Sequence, residues 1–336
     1  MPRTRQEPIA VIGAGSWGTA LAIHLARAGN PTRLWGRDRT QLEAMRRVRC
    51  NERYLPGTPF PPLLTVAGGL EDALAGVHDA LIAVPSHAFR ATLESVQTHL
   101  ADDTRIAWAT KGFEIASGLL PHQVAAEVLG KRAGAVLSGP TFAKEVAAGL
   151  PTAMTVASHD AAFAKDLAST LSGPTFRAYV QSDILGVEVG GAVKNVIAIG
   201  CGIADGMGYG ANTRVALITR GLAEMLRLGV KLGAARETFM GLAGLGDLVL
   251  TCTDDQSRNR RLGLALGRGQ SMQAAQRGIG QVVEGVLASR AVCAVAEPLS
   301  VEMPICREVF RIMHEDRAVR EAAQELMGRE LRSETE

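Results

Sequence analysis

The stretch Ile9–Asp38, IAVIGAGSWGTALAIHLARAGNPTRLWGRD, decides the fold of this chain. It begins with a short apolar run, Ile9–Ile12, that is typical of a buried strand. Gly13, Gly15 and Gly18 follow in the spacing G-x-G-x-x-G, and apolar residues four apart then predict a helix. The stretch therefore predicts a strand, a glycine turn and a helix, in the order that opens a parallel sheet.

Each glycine of this turn has a physical role in binding a dinucleotide. Gly13 permits the tight turn, Gly15 lets a diphosphate approach the backbone, and Gly18 lets the helix lie close to the strand. The free N–H groups of the first helical turn then point at the anion. Because a second apolar strand follows at Thr32–Trp35, we favour this interpretation over an ordinary strand–turn–helix with flexible glycines.

The end of the second strand indicates which dinucleotide binds. An NAD site usually has Asp or Glu there, which holds the ribose hydroxyls. This chain has Gly36 and Arg37, then Asp38 and Arg39. A guanidinium can form a fork with a 2′-phosphate, which favours NADPH over NADH while leaving NAD possible. Asp38 could instead turn toward a ribose, and the arginines could form a solvated strand end.

The composition excludes several classes of function. The net charge of +2 and the 4% aromatic content argue against a nucleic-acid-binding protein. The five cysteines are scattered without a C-x-x-C pair or clustered histidines, so we expect no metal site and a reduced, cytoplasmic setting. We expect no membrane insertion, because no uncharged run of 18 apolar residues and no apolar signal region are present.

The alternation of strands and helices predicts an α/β fold for residues 1–182. Further buried strands are predicted at Ala80–Val84, Arg105–Ala109 and Gly134–Leu137. Later strands, whose direction can be parallel or antiparallel, are predicted at Thr152–Ala157 and Thr175–Val180. The sequence thus predicts an N-terminal dinucleotide-binding domain of Rossmann type. Ligands of such parallel sheets bind at the carboxyl ends of the strands.

Two other regions differ from this pattern. The proline-rich segment Asn51–Pro62 is predicted to be a loop. From residue 183 to residue 336, strand signals give way to helical periodicity, which predicts an all-helical substrate-binding domain packed closely on the first.

Lys194 is the strongest candidate for a catalytic residue. It lies in GGAVKNVIAIG, an otherwise apolar helix, and burying an ammonium group is costly without a partner or a chemical role. A desolvated lysine has a lowered pKa, which suits it to proton transfer. The alternative is a lysine that extends to the surface or pairs structurally with Glu188.

Polar groups at strand ends and in the helical half complete the candidate site. Lys111 ends one predicted strand, and Gly139 and Thr141 follow the next. Asp247, after a glycine run, needs a partner such as a lysine, unless it caps a helix.

Ser257, Arg258 and Asn259 are predicted to lie in the first turns of a helix that starts near Asp254 or Asp255. There they would form a phosphate clamp, unless the segment is a basic surface turn. Arg260 and Arg261 are expected to face solvent.

Taken in order, these motifs resemble the bacterial NAD(P)-dependent glycerol-3-phosphate dehydrogenases. The resemblance covers about residues 9 to 330 and includes GAGSWGTALA, NERYLPG, SGPTFAKEVAAGLPTA, GLAGLGDLVLTCT, SRNRRLG and GQVVEG. It implies cofactor contacts at Gly13, Gly15, Ser16, Trp17, Gly18, Arg37, Lys111, Ala143, Arg258, Val282 and Glu284. It implies substrate contacts at Lys111, Gly139, Thr141, Lys194, Asp247, Ser257, Arg258 and Asn259, with Lys194 as the proton acceptor.

The resemblance also implies an activity, which is the interconversion of dihydroxyacetone phosphate and sn-glycerol 3-phosphate. Hydride transfer would use NADPH, Lys194 would exchange a proton, and Lys111 and Asp247 would assist it. The resemblance further implies a cytoplasmic enzyme, since the family is usually cytoplasmic and often dimeric, and implies a homodimer that supplies glycerol 3-phosphate for phospholipid synthesis. Two alternatives remain open at this point: a related dehydrogenase of carboxylates such as 6-phosphogluconate, and an NADPH-binding sensor without turnover.

Overall fold

The computed structural model describes residues 7–330, with strands and helices alternating up to Gln181. The strands are β1 (Ile9–Ile12), β2 (Thr32–Trp35), β3 (Cys50–Asn51), β4 (Leu55–Pro59), β5 (Leu64–Val66), β6 (Asp79–Ile82), β7 (Arg105–Trp108), β8 (Gly134–Ser138), β9 (Thr152–Ala157) and β10 (Phe176–Gln181). The helices of this half are α1 (Ser16–Arg27), α2 (Arg39–Val48), α3 (Leu70–Leu74), α4 (Ser86–Gln97), α5 (Pro121–Leu129), α6 (Ala143–Ala148) and α7 (Ala161–Leu171).

Eight strands form one sheet in the order β10-β9-β8-β7-β6-β1-β2-β5. From β5 to β8 all neighbours are parallel, in the order of a dinucleotide-binding sheet, and the chain reverses its winding between β1 and β6. The strands β9 and β10 are parallel to each other, and β9 pairs antiparallel with β8. The predicted Rossmann-type sheet and its antiparallel extension are therefore confirmed.

The prediction of a loop over Asn51–Pro62 is wrong. β3 and β4 form a short antiparallel hairpin inside that segment, with Asn51 opposite Leu55. Prolines are tolerated there because the hairpin has two strands only, so each strand has an edge whose backbone groups need no partner. The segment then leads into β5, an edge strand of the main sheet in which Leu64 is buried and Thr65 is exposed, and which the periodicity did not reveal.

The second half is helical throughout its described residues, as expected. It consists of α8 (Ile184–Gly206), α9 (Ala211–Leu232), a 3₁₀-helix (Arg236–Met240), a π-helix (Leu242–Gly246), α10 (Asp247–Thr253), α11 (Arg258–Gly267), α12 (Met272–Ile279), α13 (Glu284–Ala296), α14 (Pro304–His314) and α15 (Val319–Met327). Within residues 7–330, α8 alone is long and apolar enough to cross a membrane, but 89% of its most apolar window is buried in the protein. α8 is therefore the core helix of this half.

Glycines let α8 and α11 approach closely. A Cβ on Gly202 would lie 2.2 Å from the carbonyl oxygen of Arg260, and one on Gly263 would lie 2.1 Å from that of Ile199. Neither position tolerates a side chain without displacement of the backbone. Because α8 carries Lys194 and α11 begins at Arg258, this contact determines the distance between the two predicted parts of the site.

Candidate active site

The glycine turn lies where the winding of the sheet reverses. Gly13 has φ +124°, and a Cβ on it would lie 2.4 Å from the carbonyl oxygen of Ala83, the residue after β6. A Cβ on Gly18 would lie 1.9 Å from the carbonyl oxygen of Gly13. By contrast, a Cβ on Gly15 would meet nothing within 4 Å. Two glycines are thus required by packing, and the third faces open space that a diphosphate can occupy.

The residues of this turn fit a dinucleotide. α1 begins at Ser16 without a side-chain cap, so its first backbone N–H groups are available to an anion. The Ser16 hydroxyl itself donates to the carbonyl oxygen of Tyr54 at 2.9 Å. The indole nitrogen of Trp17 is buried without a hydrogen-bond partner among residues 7–330, as expected of a donor that a ligand completes.

Just after β2, one arginine side chain is exposed, and the carboxylate that follows it already accepts a hydrogen bond within the protein. Arg37 is exposed, whereas Asp38 caps α2 and accepts a hydrogen bond from the backbone N–H of Gln41 at 3.1 Å. The alternative in which Asp38 turns toward a ribose therefore competes with its role as a helix cap. This geometry favours binding of a 2′-phosphate by Arg37.

Asp247 lies between two lysines that come from different halves of the chain. Lys111, just after β7, donates to Oδ2 of Asp247 at 2.6 Å, and Lys194 of α8 donates to Oδ1. Lys194 also donates to the hydroxyl of Thr251 at 3.1 Å. Within residues 7–330, two of its three N–H donors are thus used, and one remains for a substrate oxygen.

The alternatives considered for Lys194 do not match the structure. Its side chain is 9% exposed, so it does not extend into solvent. Glu188 accepts hydrogen bonds from the indole nitrogen of Trp108 at 2.7 Å and from His122 at 2.6 Å, and does not serve as the partner of Lys194. Asp247 is that partner, and it also stands as the first residue of α10.

Burial controls the protonation of this group. The pKa of Lys194 is lowered to about 8, chiefly because the amine is desolvated; Asp247 opposes this effect, and the nearby charge of Lys111 adds to it. Burial alone would raise the pKa of Asp247, but the ammonium groups of Lys111 and Lys194 outweigh it, and the pKa lies below its ordinary value. Asp247 is therefore a carboxylate at neutral pH, and Lys194 can gain or lose a proton near it.

The phosphate-clamp residues gather at the N-terminus of α11, although the helix begins later than predicted. Ser257 is the cap residue, and its hydroxyl accepts from the backbone N–H of Arg260 at 3.2 Å. Arg258 is the first helical residue and donates to the side chain of Gln281 at 3.3 Å. Asp254 and Asp255 precede the helix, because a side chain at position 257 completes the cap.

The side-chain amide of Asn259 is largely engaged within the protein. It donates to Oδ1 of Asn195 at 2.8 Å and accepts from the backbone N–H of Gly285 at 2.9 Å. Asn195 in turn donates to Glu284 at 3.4 Å. Asn259 thus offers a phosphate one amide hydrogen and its backbone N–H, and joins α11 to Lys194's neighbour in α8.

Arg260 does not face solvent, contrary to expectation. It is 8% exposed, and its Nη1 donates to Oδ2 of Asp205 at 2.6 Å. Its Nε also lies 3.1 Å from Oδ1 of Asp255, which forms a second ion pair. The sequence could not reveal this burial, since Asp205 lies 55 residues away and is brought near only by the close contact of α8 and α11.

The remaining predicted residues lie at nearby segment ends. Gly139 follows β8 with φ +153°, where a Cβ would lie 2.9 Å from the Cα of Met154. The hydroxyl of Thr141 donates to the Gly139 carbonyl oxygen at 3.2 Å. Ala143 begins α6, and Val282 is 50% exposed just before α13.

Three site residues were missed by the sequence reasoning. Thr251 contacts Lys194, and Asn195 contacts Asn259. Ser138, at the end of β8, is buried, and its hydroxyl has no hydrogen-bond partner within residues 7–330. The signal for Asn195 was present, since it is a second polar residue beside Lys194 in an apolar helix. Among the same described residues, no cluster of His, Cys, Asp or Glu could hold a metal ion.

Comparison with known proteins agrees with this geometry. Family models described as NAD-dependent glycerol-3-phosphate dehydrogenase N-terminus and C-terminus match residues 8–164 and 183–324. The chain is 55% identical over 326 residues to glycerol-3-phosphate dehydrogenase (NAD(P)+) of Sodalis glossinidius, covering 96% of each chain. It is also 55% identical over 330 residues to the enzyme of the same name from Thioalkalivibrio sulfidiphilus, covering 98% of this chain and 99% of the other.

A solved structure agrees at the level of the fold. The crystal structure of glycerol-3-phosphate dehydrogenase from Coxiella burnetii superposes with a TM-score of 0.95 at 50% identity, covering 97% of this chain and 100% of that one. The expected resemblance is therefore confirmed over nearly the whole length. This chain belongs to the NAD-dependent glycerol-3-phosphate dehydrogenase family.

Proposed function

We propose that this protein reduces dihydroxyacetone phosphate to sn-glycerol 3-phosphate with NADPH and catalyses the reverse oxidation. The observation that carries the proposal is the pair of lysines that contact Asp247, one from each half of the chain. The relatives named above carry both NAD and NADP in their names, and the exposed Arg37 favours NADPH here.

Lys194 is the proton donor and acceptor in this mechanism. A bound nicotinamide cofactor supplies the hydride for reduction and accepts it in oxidation. As negative charge develops on the ketone oxygen, the Nζ of Lys194 gives that oxygen a proton, and in the reverse direction it takes the proton from the hydroxyl. Asp247 and Thr251 orient the amine, and they keep its remaining N–H free for the substrate.

Lys111 provides a second positive charge close to the reacting oxygen. Its side chain is 16% exposed, so its charge acts in a medium that screens it less than bulk water does. Because Lys111 and Lys194 share one carboxylate, the site stays near a net charge of +1. That net positive charge stabilises the negative charge that develops on the ketone oxygen.

The phosphate of the substrate binds at the start of α11. Arg258 provides a guanidinium, and Asn259 provides a backbone N–H in the first turn of the helix that Ser257 caps, where the helix dipole favours an anion. Binding energy from this remote group aligns the carbonyl with Lys194. Gly139 and Thr141 follow β8 and border the same edge of the sheet.

The biological setting follows from this reaction. We propose that the enzyme acts in the cytoplasm as a homodimer and supplies glycerol 3-phosphate for phospholipid synthesis. We also propose residues 1–182 as the cofactor domain and 183–336 as the substrate domain. The strands end at Gln181 and α8 begins at Ile184, which supports this division. Light scattering of the purified protein tests the dimer.

The decisive experiment is an absorbance assay of NADPH and NADH oxidation, with dihydroxyacetone phosphate as substrate. We expect turnover with this substrate and faster turnover with NADPH. The reverse assay compares sn-glycerol 3-phosphate with 6-phosphogluconate as the substrate to be oxidised. Oxidation of 6-phosphogluconate alone would instead identify the protein as the carboxylate dehydrogenase, and NADPH binding without turnover would identify it as a sensor.

A further inference from the structure

The hairpin formed by β3 and β4 is held against the glycine turn. The amide of Asn51 donates to the carbonyl oxygen of Ala14 at 3.0 Å and to the hydroxyl of Thr19 at 2.8 Å. The Ser16 hydroxyl donates to the Tyr54 carbonyl oxygen at 2.9 Å. These bonds fix the turn between the two strands beside the first residues of α1.

Arg53 extends from this turn to the end of β2. Its Nη1 donates to Oδ2 of Asp38 at 3.1 Å, and its guanidinium carbon lies 5.1 Å from the ring centre of Tyr54. The side chains of Arg53 and Asp38 are 61% and 44% exposed. An ion pair this exposed contributes little to folding stability, so stability gives no reason for it.

The pair changes what the end of β2 can bind. Asp38 occupies the position at which an acidic residue holds the ribose hydroxyls in an NAD site. Here both of its oxygens are engaged, Oδ1 by the N–H of Gln41 and Oδ2 by Arg53. Arg53 is thus the arginine that contacts Asp38, and Arg37 and Arg39 flank Asp38 in the chain.

We propose that Arg53 is a specificity-determining residue for the cofactor. Together with Arg37 it binds the 2′-phosphate of the adenosine ribose, and its contact with Asp38 offsets the repulsion between that carboxylate and the phosphate. The Tyr54 ring keeps the guanidinium in place, because a cation over an aromatic face is stabilised by the ring's charge distribution. The inference rests on the proposed use of NADPH.

The test measures binding of 2′,5′-ADP and of 5′-ADP by calorimetry, without substrate or turnover. The two ligands differ only in the 2′-phosphate. For Arg53→Ala we expect the affinity for 2′,5′-ADP to fall about tenfold, as for the loss of one charge-assisted contact, and that for 5′-ADP to change less than about twofold. Arg47→Ala is the matched control, because Arg47 is exposed on α2 outside the proposed site.

A second variant separates the two roles of Arg53. In an Arg53→Ala background, Asp38→Asn removes the repelling charge, and we expect it to restore part of the lost affinity for 2′,5′-ADP. Equal losses for both ligands, no loss for either, or a wild-type protein that does not prefer 2′,5′-ADP would each overturn the proposal. Failure to reduce dihydroxyacetone phosphate would count against the proposed reaction alone, since this assay contains no substrate.

Discussion

Gly190 in α8 lies so close to Ala243 in the π-helix that a Cβ on Gly190 would be 2.5 Å from the Ala243 carbonyl oxygen. The π-helix leads directly into Asp247, and Lys194 lies one turn after Gly190. This contact between two backbones therefore determines how far the carboxylate lies from the lysine. π-helical turns are rare and are often found at functional sites, as here.

We predict that Gly190→Ala lowers kcat about 100-fold, because the added methyl group displaces the π-helix and with it Asp247. Steady-state kinetics, together with calorimetric binding of NADPH, check this prediction. Gly200→Ala is the control in the same helix, since a Cβ there meets Val309 and Ile305 at ordinary distances of 3.4 and 3.5 Å. Equal kcat values for the two variants would contradict the role of the contact.

We predict that Lys194→Ala abolishes turnover, with kcat reduced by at least about 1000-fold, because the variant lacks the amine that gives and takes the proton. NADPH should still bind with nearly wild-type affinity, since the glycine turn lies in the other half of the chain. Single-turnover absorbance and calorimetry measure the two quantities. Lys231→Ala, at an exposed lysine of α9, serves as the control. Activity near wild type would remove Lys194 from the mechanism.

The two directions of the reaction should depend on pH in opposite ways. Burial lowers the pKa of Lys194 to about 8. Reduction needs the protonated amine, so its kcat should fall as pH rises through about 8. Oxidation needs the neutral amine, so its kcat should rise over the same range. Initial rates measured in both directions check this, and parallel pH profiles would contradict the assignment of Lys194 as the exchanging group.

Lys111 should influence the titration of its neighbour. The positive charge of Lys111 contributes to the lowered pKa of Lys194, so Lys111→Met should raise that pKa. We expect the falling limb of the reduction profile to move to higher pH, together with a loss of kcat. Lys131→Met, at an exposed lysine after α5, should not change the pH at which the rate of reduction falls. A shift to lower pH would show that the two amines do not interact in this way.

Glu188 should be important for stability. It is buried and accepts hydrogen bonds from the Trp108 indole at 2.7 Å and from His122 at 3.0 Å and 2.6 Å, through the backbone N–H and Nδ1 of the histidine. Glu188→Leu leaves these donors unsatisfied, and we expect the free energy of unfolding to fall by about 3 kcal/mol. Glu188→Gln keeps one acceptor oxygen, so it should lower the free energy of unfolding by less than Glu188→Leu does.

Chemical denaturation measures both Glu188 variants. The exposed Glu94 of α4 provides the control, and Glu94→Gln should change the free energy of unfolding by less than about 0.5 kcal/mol. If Glu188→Leu were as stable as wild type, the hydrogen bonds to Trp108 and His122 would not contribute to folding.

The sequence by itself determined the fold class and the chemistry of the strongest candidate. Apolar runs and the spacing of Gly13, Gly15 and Gly18 predicted the sheet and its turn, because strand burial and close backbone approach depend on local residue types. A charged residue in an apolar helix predicted a special role for Lys194, since desolvation of an amine is costly wherever it occurs.

Only the tertiary structure decided which groups meet. Asp247 lies 136 residues from Lys111 and 53 from Lys194, so no local pattern could pair them. The engagement of Asn259 with Asn195 and the burial of Arg260 likewise follow from helix packing. Desolvation requires that a buried charge find a partner, but the choice of partner depends on which backbones glycine allows to approach.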